Sequence, residues 1–201
     1  VTADGGFDFS YNFNKQEQLS YRILFCEIVT AISIQKIGGC FVCKFFDMYT
    51  NITQSLIYLL YTFYKKVYIT KPNTSRAANS EKYIVCRGFL GIDKTYLKKL
   101  YILVGNFKYI YNNKMFINQI FDFDLDINFK SQLNKINTIF FNNQINSIIS
   151  TLSLIKQNNL DVEFNNTIKK QTILAFKWCK YYKISINYNS KYLIKYNKFI
   201  N

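Results

Sequence analysis

The stretch Gly38-Gly-Cys-Phe-Val-Cys-Lys-Phe-Phe46 lies between two longer segments whose apolar residues recur at helical spacing. A pair of glycines readily ends a helix. A short apolar run rich in aromatic and β-branched residues is typical of a buried strand. We therefore predict a central strand over 40–46, entered from a helix that ends near Ile37.

The segment before this strand carries a helix start signal and, further upstream, the remains of another strand. Asn14 stands three residues before Glu17, a spacing typical of a capping box. We predict a helix from this pair to about Ile37. Val1-Thr-Ala-Asp4 has the character of the end of a buried strand, and Gly5-Gly6 break it.

The segment after the central strand continues the alternation of strands and helices. We predict a helix over 52–65, a strand over 67–70 that Pro72 ends, and a further strand over 82–86. Alternation of this kind indicates an α/β fold with a parallel sheet. The last connection is too short for a crossover helix, so we expect the final two strands to pair antiparallel.

Charge divides the chain near residue 90. The whole sequence has 26 Lys and Arg against 12 Asp and Glu, a net charge of +14. Residues 1–90 carry a net charge of +4 and residues 91–201 a net charge of +10. We predict helices at about 93–104, 131–157 and 164–183, and so an α/β part, 1–90, followed by a basic, mainly helical extension, 91–201. Positive charge of this size indicates a polyanionic partner, nucleic acid or an acidic membrane surface.

Several classes of chemistry are excluded by composition. The sequence has no His, which removes His general bases, Ser-His and Cys-His pairs and His-ligated metals. Its five Cys are an odd number within apolar runs and indicate free thiols in a reducing compartment. Cys40-x-x-Cys43 is a weak zinc or redox signal, because an odd offset in a strand points the two sulfurs to opposite faces. No apolar run is long enough to span a bilayer. We predict neither a metal site nor a membrane partner.

Three polar residues stand at predicted strand ends, where open α/β sheets bind ligands. Asp4 is followed by two glycines, Lys44 interrupts an apolar strand, and Glu81 opens the last strand after a polar loop. Each has a structural alternative. Asp4 could simply bond a glycine-rich turn, Lys44 could extend its ammonium to solvent, and Glu81 could pair with Lys82 or Arg76.

Residues 1–90 resemble the FtsJ-like ribose 2′-O-methyltransferases, which carry a Lys-Asp-Lys-Glu tetrad on a Rossmann-like sheet. The resemblance rests on Ala3-Asp-Gly-Gly-Phe7, on Gly38-Gly-Cys-Phe-Val-Cys-Lys44 and, most specifically, on Lys71-Pro-Asn-Thr-Ser-Arg-Ala-Ala-Asn-Ser-Glu-Lys-Tyr83. The motifs are most similar to the messenger-RNA cap methyltransferase branch, and within it to versions encoded by large cytoplasmic DNA viruses.

The resemblance implies an enzyme that transfers a methyl group from S-adenosylmethionine to RNA, at the ribose of the first transcribed nucleotide of capped mRNA. It implies that Lys44 is the base, with a pKa lowered by burial and by a neighbouring cation, and that Asp4 and Glu81 hold it in place. It also implies a cytoplasmic location, in the host cytoplasm or the virion if the protein is viral. No particular protein partner is predicted.

The resemblance further implies binding residues. Asp4 and Gly5 are expected to contact S-adenosylmethionine, and Lys71, Ser75 and Arg76 to contact the RNA. The family's first tetrad Lys and its glycine-rich cofactor loop precede the Asp, and they are not among these 201 residues. We therefore expect the chain to be the carboxyl-terminal half of a methyltransferase domain with a helical extension, inactive by itself.

Other functions stay open at this point. The chain could be a catalytically inactive RNA-binding or virion-structural module that retains the fold, or a methyltransferase of ribosomal or transfer RNA. Residues 164–201 hold eight Lys and no acid, interleaved with aromatic residues. They could form an RNA-binding surface or a terminal helix whose aromatic residues pack inward.

Overall fold

Strands and helices alternate in the first part of the chain, and only helices follow. The structure, a computed structural model, describes residues 1–73, 75–156 and 160–196. The chain divides into two compact units, Val1–Ile145 and Asn146–Asn201. The elements in chain order are β1 (Thr2–Ala3), α1 (Gln16–Ile34), β2 (Cys40–Phe45), α2 (Asn51–Phe63), β3 (Tyr64–Thr70), β4 (Lys82–Phe89), α3 (Lys94–Gly105), α4 (Phe107–Asn112), α5 (Ile127–Ile155), α6 (Leu160–Tyr182) and α7 (Lys191–Tyr196).

The four strands form one mixed sheet in the order β1-β2-β4-β3. β1 and β2 are parallel, and β4 is antiparallel to both of its neighbours. The predicted antiparallel pairing of the last two strands is confirmed, as is the α/β class followed by helices. The position of β4 was not predicted. Helix α2 carries the chain from β2 to a non-adjacent β3, and the short connection after β3 lets β4 fill the space between them.

One face of the sheet carries the core. In β2, burial alternates along the strand, and Phe41, Cys43 and Phe45 have no exposed surface. Ile84 and Cys86 of β4 are also fully buried, and apolar residues of α1 and α2 belong to the same cluster. Because successive strand residues point to opposite faces, the intervening residues of β2 and β4 lie on the other face.

The start of α1 differs from the prediction. The helix follows Lys15, which makes no side-chain cap, so the predicted capping box of Asn14 and Glu17 is wrong. The Glu17 carboxylate instead accepts hydrogen bonds from the backbone N and the Oγ1 of Thr50, both at 2.7 Å. Thr50 is the N-cap of α2. A tertiary contact between two helix starts has replaced the local one. The helix also ends earlier than predicted, at Ile34.

Part of the helical extension belongs to the first unit. Asp93 caps α3 as predicted and accepts a hydrogen bond of 2.7 Å from the Thr95 amide. Leu100 of α3 and Leu133 of α5 are buried members of the core cluster. The compact unit therefore runs to Ile145, past the change of charge near residue 90. A division of the chain at 90 stays a prediction. The short helices α4 and α7 were not predicted.

The second unit contains the basic aromatic segment. Within it, Lys195 Nζ donates to Asn165 Oδ1 at 2.9 Å and ties α7 to α6. Tyr181 and Tyr182 are 80% and 57% exposed, so inward packing does not describe these two residues. An RNA-binding role for the segment stays a prediction, and its residues 197–201 lie outside the described part. Within residues 1–73, 75–156 and 160–196, no helix has the length and apolar character needed to cross a membrane.

Candidate active site

The sheet register brings the predicted site residues to one edge and one face. Asp4 directly follows β1, whose last residue Ala3 lies beside Cys43, and Lys44 lies beside Tyr83. Glu81 precedes Tyr83 by two residues and immediately precedes β4. The ends of the parallel strands β1 and β2 meet the start of the antiparallel β4 at the same edge. Residues two apart in a strand share a face, so Lys44, Tyr83 and Glu81 are on the same side.

Lys44 is held by Asp4. Its Nζ lies 2.9 Å from Asp4 Oδ1 and also donates to the Asp4 carbonyl oxygen at 3.0 Å. The Lys44 side chain is 16% exposed and that of Asp4 is 72% exposed. The Phe46 ring lies below the ammonium, 5.9 Å from Nζ to its centroid. A Cβ on Gly6 would stand 3.5 Å from Nζ, so the chain passes close to the ammonium there.

Tyr83 lies near the two predicted carboxylates and was missed by sequence reasoning. Its phenol is close enough to the Glu81 and Asp4 carboxylates for the charge of each to act on it. Burial, followed by the negative charges of Glu81 and Asp4, raises the pKa of the Tyr83 phenol. The Ser75 hydroxyl also donates to Glu81 Oε1, at 3.4 Å. The spacing Ser-Glu-x-Tyr could have pointed to Tyr83, because a residue two positions after Glu81 shares its face.

Gly5 is bound by a second residue that the sequence analysis missed, Glu27 of α1. The Gly5 amide donates to Glu27 Oε1 at 2.7 Å, and the Cys43 thiol donates to Glu27 Oε2 at 3.6 Å. A Cβ on Gly5 would stand 2.5 Å from Ile23 Cδ1. Burial, and then the charge of Glu27, raises the pKa of Cys43. The close approach at Gly5 is thus made by a helix of the protein, and cofactor contact by this glycine stays a prediction.

The predicted substrate residues lie around the loop between β3 and β4. Lys71 Nζ donates to Asn79 Oδ1 at 2.6 Å, to Asn79 O at 2.9 Å and to Glu81 O at 2.8 Å. Burial lowers the pKa of Lys71. Its ammonium braces the loop, whereas Arg76 and Glu81 line an open cleft of about 520 Å³. Substrate binding by Lys71, Ser75 and Arg76 stays a prediction.

Lys82 does not form the ion pair with Glu81 that was the structural alternative for that carboxylate. Its Nζ lies 3.2 Å from Asp47 Oδ1, on the core face of the sheet, and not in an ion pair with Glu81. The residue is only 4% exposed, and burial lowers its pKa. The strand register explains why the Lys82 side chain lies on the core face, because Lys82 lies beside the buried Phe45.

In the part of the chain that the structure describes, no three or more Cys, Asp or Glu side chains cluster so that they could hold a metal ion. Cys40 is exposed and Cys43 is buried. The two thiols thus differ in environment, as expected for residues three apart in a strand.

The sequence is similar to known proteins. Residues 1–89 match the family described as FtsJ-like methyltransferase. A mouse protein, Cap-specific mRNA (nucleoside-2'-O-)-methyltransferase 1 of Mus musculus, is 33% identical over 180 residues, which are 88% of this chain and 22% of the mouse protein. Proteins of the same name are 41% identical over 129 residues in Homo sapiens (64% and 14%) and 47% identical over 92 residues in Trypanosoma cruzi (45% and 25%). The chain thus spans a quarter or less of the length of these relatives.

The resemblance drawn from the motifs around Asp4, Lys44 and Glu81 is confirmed at the level of the family. A particular closeness to viral versions stays a prediction. The match ends at the last residue of β4, so it covers the whole sheet and none of α3 to α7. Residues 1–89 of this chain belong to the FtsJ-like methyltransferase family.

Proposed function

We propose that this chain is part of an S-adenosylmethionine-dependent RNA ribose 2′-O-methyltransferase that methylates the first transcribed nucleotide of capped mRNA. One observation carries the proposal. An ammonium, two carboxylates and a phenol, from Lys44, Asp4, Glu81 and Tyr83, meet at one edge of a sheet whose residues match the FtsJ-like family. The printed names of the relatives support the capped mRNA as substrate.

The chemistry needs a base and good positioning. A ribose 2′-hydroxyl is a poor acid. Its oxygen must form a bond to the methyl carbon while the bond from that carbon to the donor sulfur breaks, and the hydroxyl must lose its proton. In our proposal Lys44, in its neutral amine form, accepts that proton. Asp4 holds Lys44 Nζ through a carboxylate and a carbonyl oxygen, 2.9 and 3.0 Å away. Glu81 and Tyr83 complete the polar edge on which the hydroxyl is oriented.

The described residues fit the cofactor only in part. S-adenosylmethionine supplies an electrophilic methyl group when it is bound. Asp4 offers a largely exposed carboxylate that could contact it. The amide of Gly5 is already bonded to Glu27, and the space beside Gly5 is filled by Ile23. These residues form one edge of a cofactor site, and we propose that the remainder is built by residues outside this sequence.

The cleft beside the site suits an RNA chain. It is lined by Glu81 and by residues that can bond phosphate, ribose or base, including Arg76, Asn79 and Gln144. An Arg side chain binds phosphate with a planar pair of donors, and Asn and Gln offer both donors and acceptors. A substrate ribose held at the Glu81 end of this cleft would lie at the same sheet edge as Lys44.

The test is methyl transfer by the natural protein that contains these residues. Tritiated S-adenosylmethionine and a short capped RNA are the substrates, and a matched RNA already carries a 2′-O-methyl group on its first nucleotide. We expect label at the first nucleotide of the unmethylated RNA only. Label on a base, or equal labelling of the two RNAs, would contradict the proposed reaction. Preference for uncapped ribosomal RNA would contradict the proposed substrate and would leave the proposed reaction unchanged.

A further inference from the structure

A single buried ammonium joins the two chain segments that carry the proposed catalytic groups. Lys82 Nζ donates to Phe46 O at 3.3 Å, to Asp47 Oδ1 at 3.2 Å and to Ser80 O at 2.8 Å. A Lys ammonium has three N–H donors, so these three acceptors match its full capacity. The bonds lie on the core face of the sheet, opposite the face of Lys44.

The positions of the acceptors matter for the site. Phe46 and Asp47 follow Lys44 by two and three residues, and Ser80 directly precedes Glu81. The ammonium of Lys82 therefore fixes the end of the β2 segment against the start of the β4 segment. These are the two segments whose separation determines the distance between the Lys44 amine and the Glu81 carboxylate.

Helix α5 supports the same two segments from the core side. Asn137 Nδ2 donates to Met48 O at 2.9 Å in a buried bond, and Gln144 Nε2 donates to Ala78 O at 3.1 Å. Between them, the Phe140 ring lies 5.6 Å from Lys82 Nζ. The three helix residues are spaced i, i+3 and i+7, so they lie on one face of α5.

This helix face lies outside the family match, which ends at residue 89. Asn137 is only 5% exposed, and its side chain bonds a backbone carbonyl in the segment that follows β2. A buried polar side chain of this kind is costly unless it is satisfied, so its position is well defined. The extension thus has a specific contact with the site segments in addition to apolar packing.

We propose that Lys82 and the Asn137, Phe140 and Gln144 face of α5 form a clamp that sets the position of Lys44 relative to Glu81. The clamp residues are positioning residues, because Lys82 points away from the catalytic face and acts through the two segments. The proposal rests on the proposed function, since it assigns the clamp to the same methyl transfer. It gives the part of the chain outside the family match a role in catalysis.

A positioning role can be separated from a merely structural one. Lys82→Met removes the three hydrogen bonds and keeps an apolar stem, and Asn137→Ala removes one bond from α5. Lys82→Arg is the conservative rescue. Asn134→Ala is the matched control, an exposed Asn one turn earlier in α5. Leu100→Ala is the stability control, a buried residue of α3.

The kinetic experiment measures kcat and KM for S-adenosylmethionine and capped RNA in the natural protein, at a temperature where unfolding curves show every variant fully folded. We expect Lys82→Met to lower kcat by about tenfold or more, since misplacement by about 1 Å can cost a hundredfold. KM for S-adenosylmethionine should stay unchanged. Asn137→Ala should lower kcat in the same sense, and Lys82→Arg should restore most of it.

The outcomes are distinct. Leu100→Ala should keep the wild-type kcat even with a comparable loss of thermal stability. If Lys82→Met and Asn137→Ala also keep it, the clamp proposal is wrong. If Lys82→Met does not fold, the comparison of Asn137→Ala with its control, Asn134→Ala, decides the question.

A second measurement does not depend on turnover. Amide hydrogen exchange in segments 46–48 and 78–82 should accelerate in Lys82→Met and Asn137→Ala, but not in Leu100→Ala or Asn134→Ala. Unchanged exchange in both clamp variants would overturn the proposal. A wild-type protein with no methyl transfer would contradict the proposed function instead, and the exchange data would still decide on the clamp.

Discussion

Replacing Lys44 by Met should separate catalysis from stability. The substitution removes one ammonium and keeps most of the apolar stem. The lost ion pair is short, with 2.9 Å from Nζ to Asp4 Oδ1, but the Asp4 side chain is 72% exposed. Solvent screens such a pair, which then contributes about 0.2–1 kcal/mol. Lys44→Met should therefore lower the free energy of unfolding by no more than about 1 kcal/mol.

The effect on the reaction should be much larger. A positioned general base contributes about 10²–10⁴-fold, which is roughly 2.7–5.4 kcal/mol of activation free energy. We expect Lys44→Met to lower the turnover of capped RNA by at least about a hundredfold. The assay is the initial rate of tritium transfer from S-adenosylmethionine by the natural protein, with urea unfolding measured on the same preparations.

A matched variant controls for the loss of positive charge. Lys66→Met changes an exposed Lys of β3 in the same sheet and should keep the wild-type rate. If Lys44→Met retains more than about a tenth of the turnover, a loss of only about 1.4 kcal/mol, Lys44 is not the base. A fall in unfolding free energy of several kcal/mol would instead refute the claim that the ion pair is a minor structural contact.

Three further predictions concern stability and reactivity. Gly5→Ala should lower the free energy of unfolding by about 1–3 kcal/mol, because the new Cβ meets side chains of α1. Gly105→Ala is the control, since the space around Gly105 is open, and it should cause no such loss. Equal urea midpoints for the two variants would contradict this prediction. Burial lowers the pKa of Lys82 below its ordinary 10.5, so the unfolded chain holds that proton more tightly and stability should rise as the pH increases toward 10.5. The difference in unfolding free energy between the wild type and Lys82→Met should follow that rise, and a pH-independent difference would argue against it. Iodoacetamide at about pH 8 should modify the exposed Cys40 well before the buried Cys43, whose pKa is raised. Peptide mass spectrometry measures the two rates. Equal rates would refute the assignment of the two thiols to opposite faces of β2.

The order of strands and helices could be predicted because it depends on local patterns. Apolar spacing and glycine pairs are properties of a few consecutive residues, and they located β2 and the helices on either side of it. The partners of β4 could not be predicted in the same way, because strand pairing depends on contacts between segments that are far apart in the sequence. The capping box failed for the same reason. The Glu17 carboxylate bonds Thr50, which is 33 residues away, and a local motif cannot indicate that contact.

The sequence by itself determined which residue types stand at the strand ends, so Asp4, Lys44 and Glu81 could be named from their neighbours and from the family motifs. Only the tertiary structure decided what supports them. Glu27 bonds Gly5 across 22 residues, and Asn137 bonds Met48 across 89. A carboxylate or an amide in the middle of a helix looks the same in sequence whether it faces solvent or a distant carbonyl. Its partner is set by how the helix packs on the sheet, which depends on the burial of the whole core rather than on any local pattern.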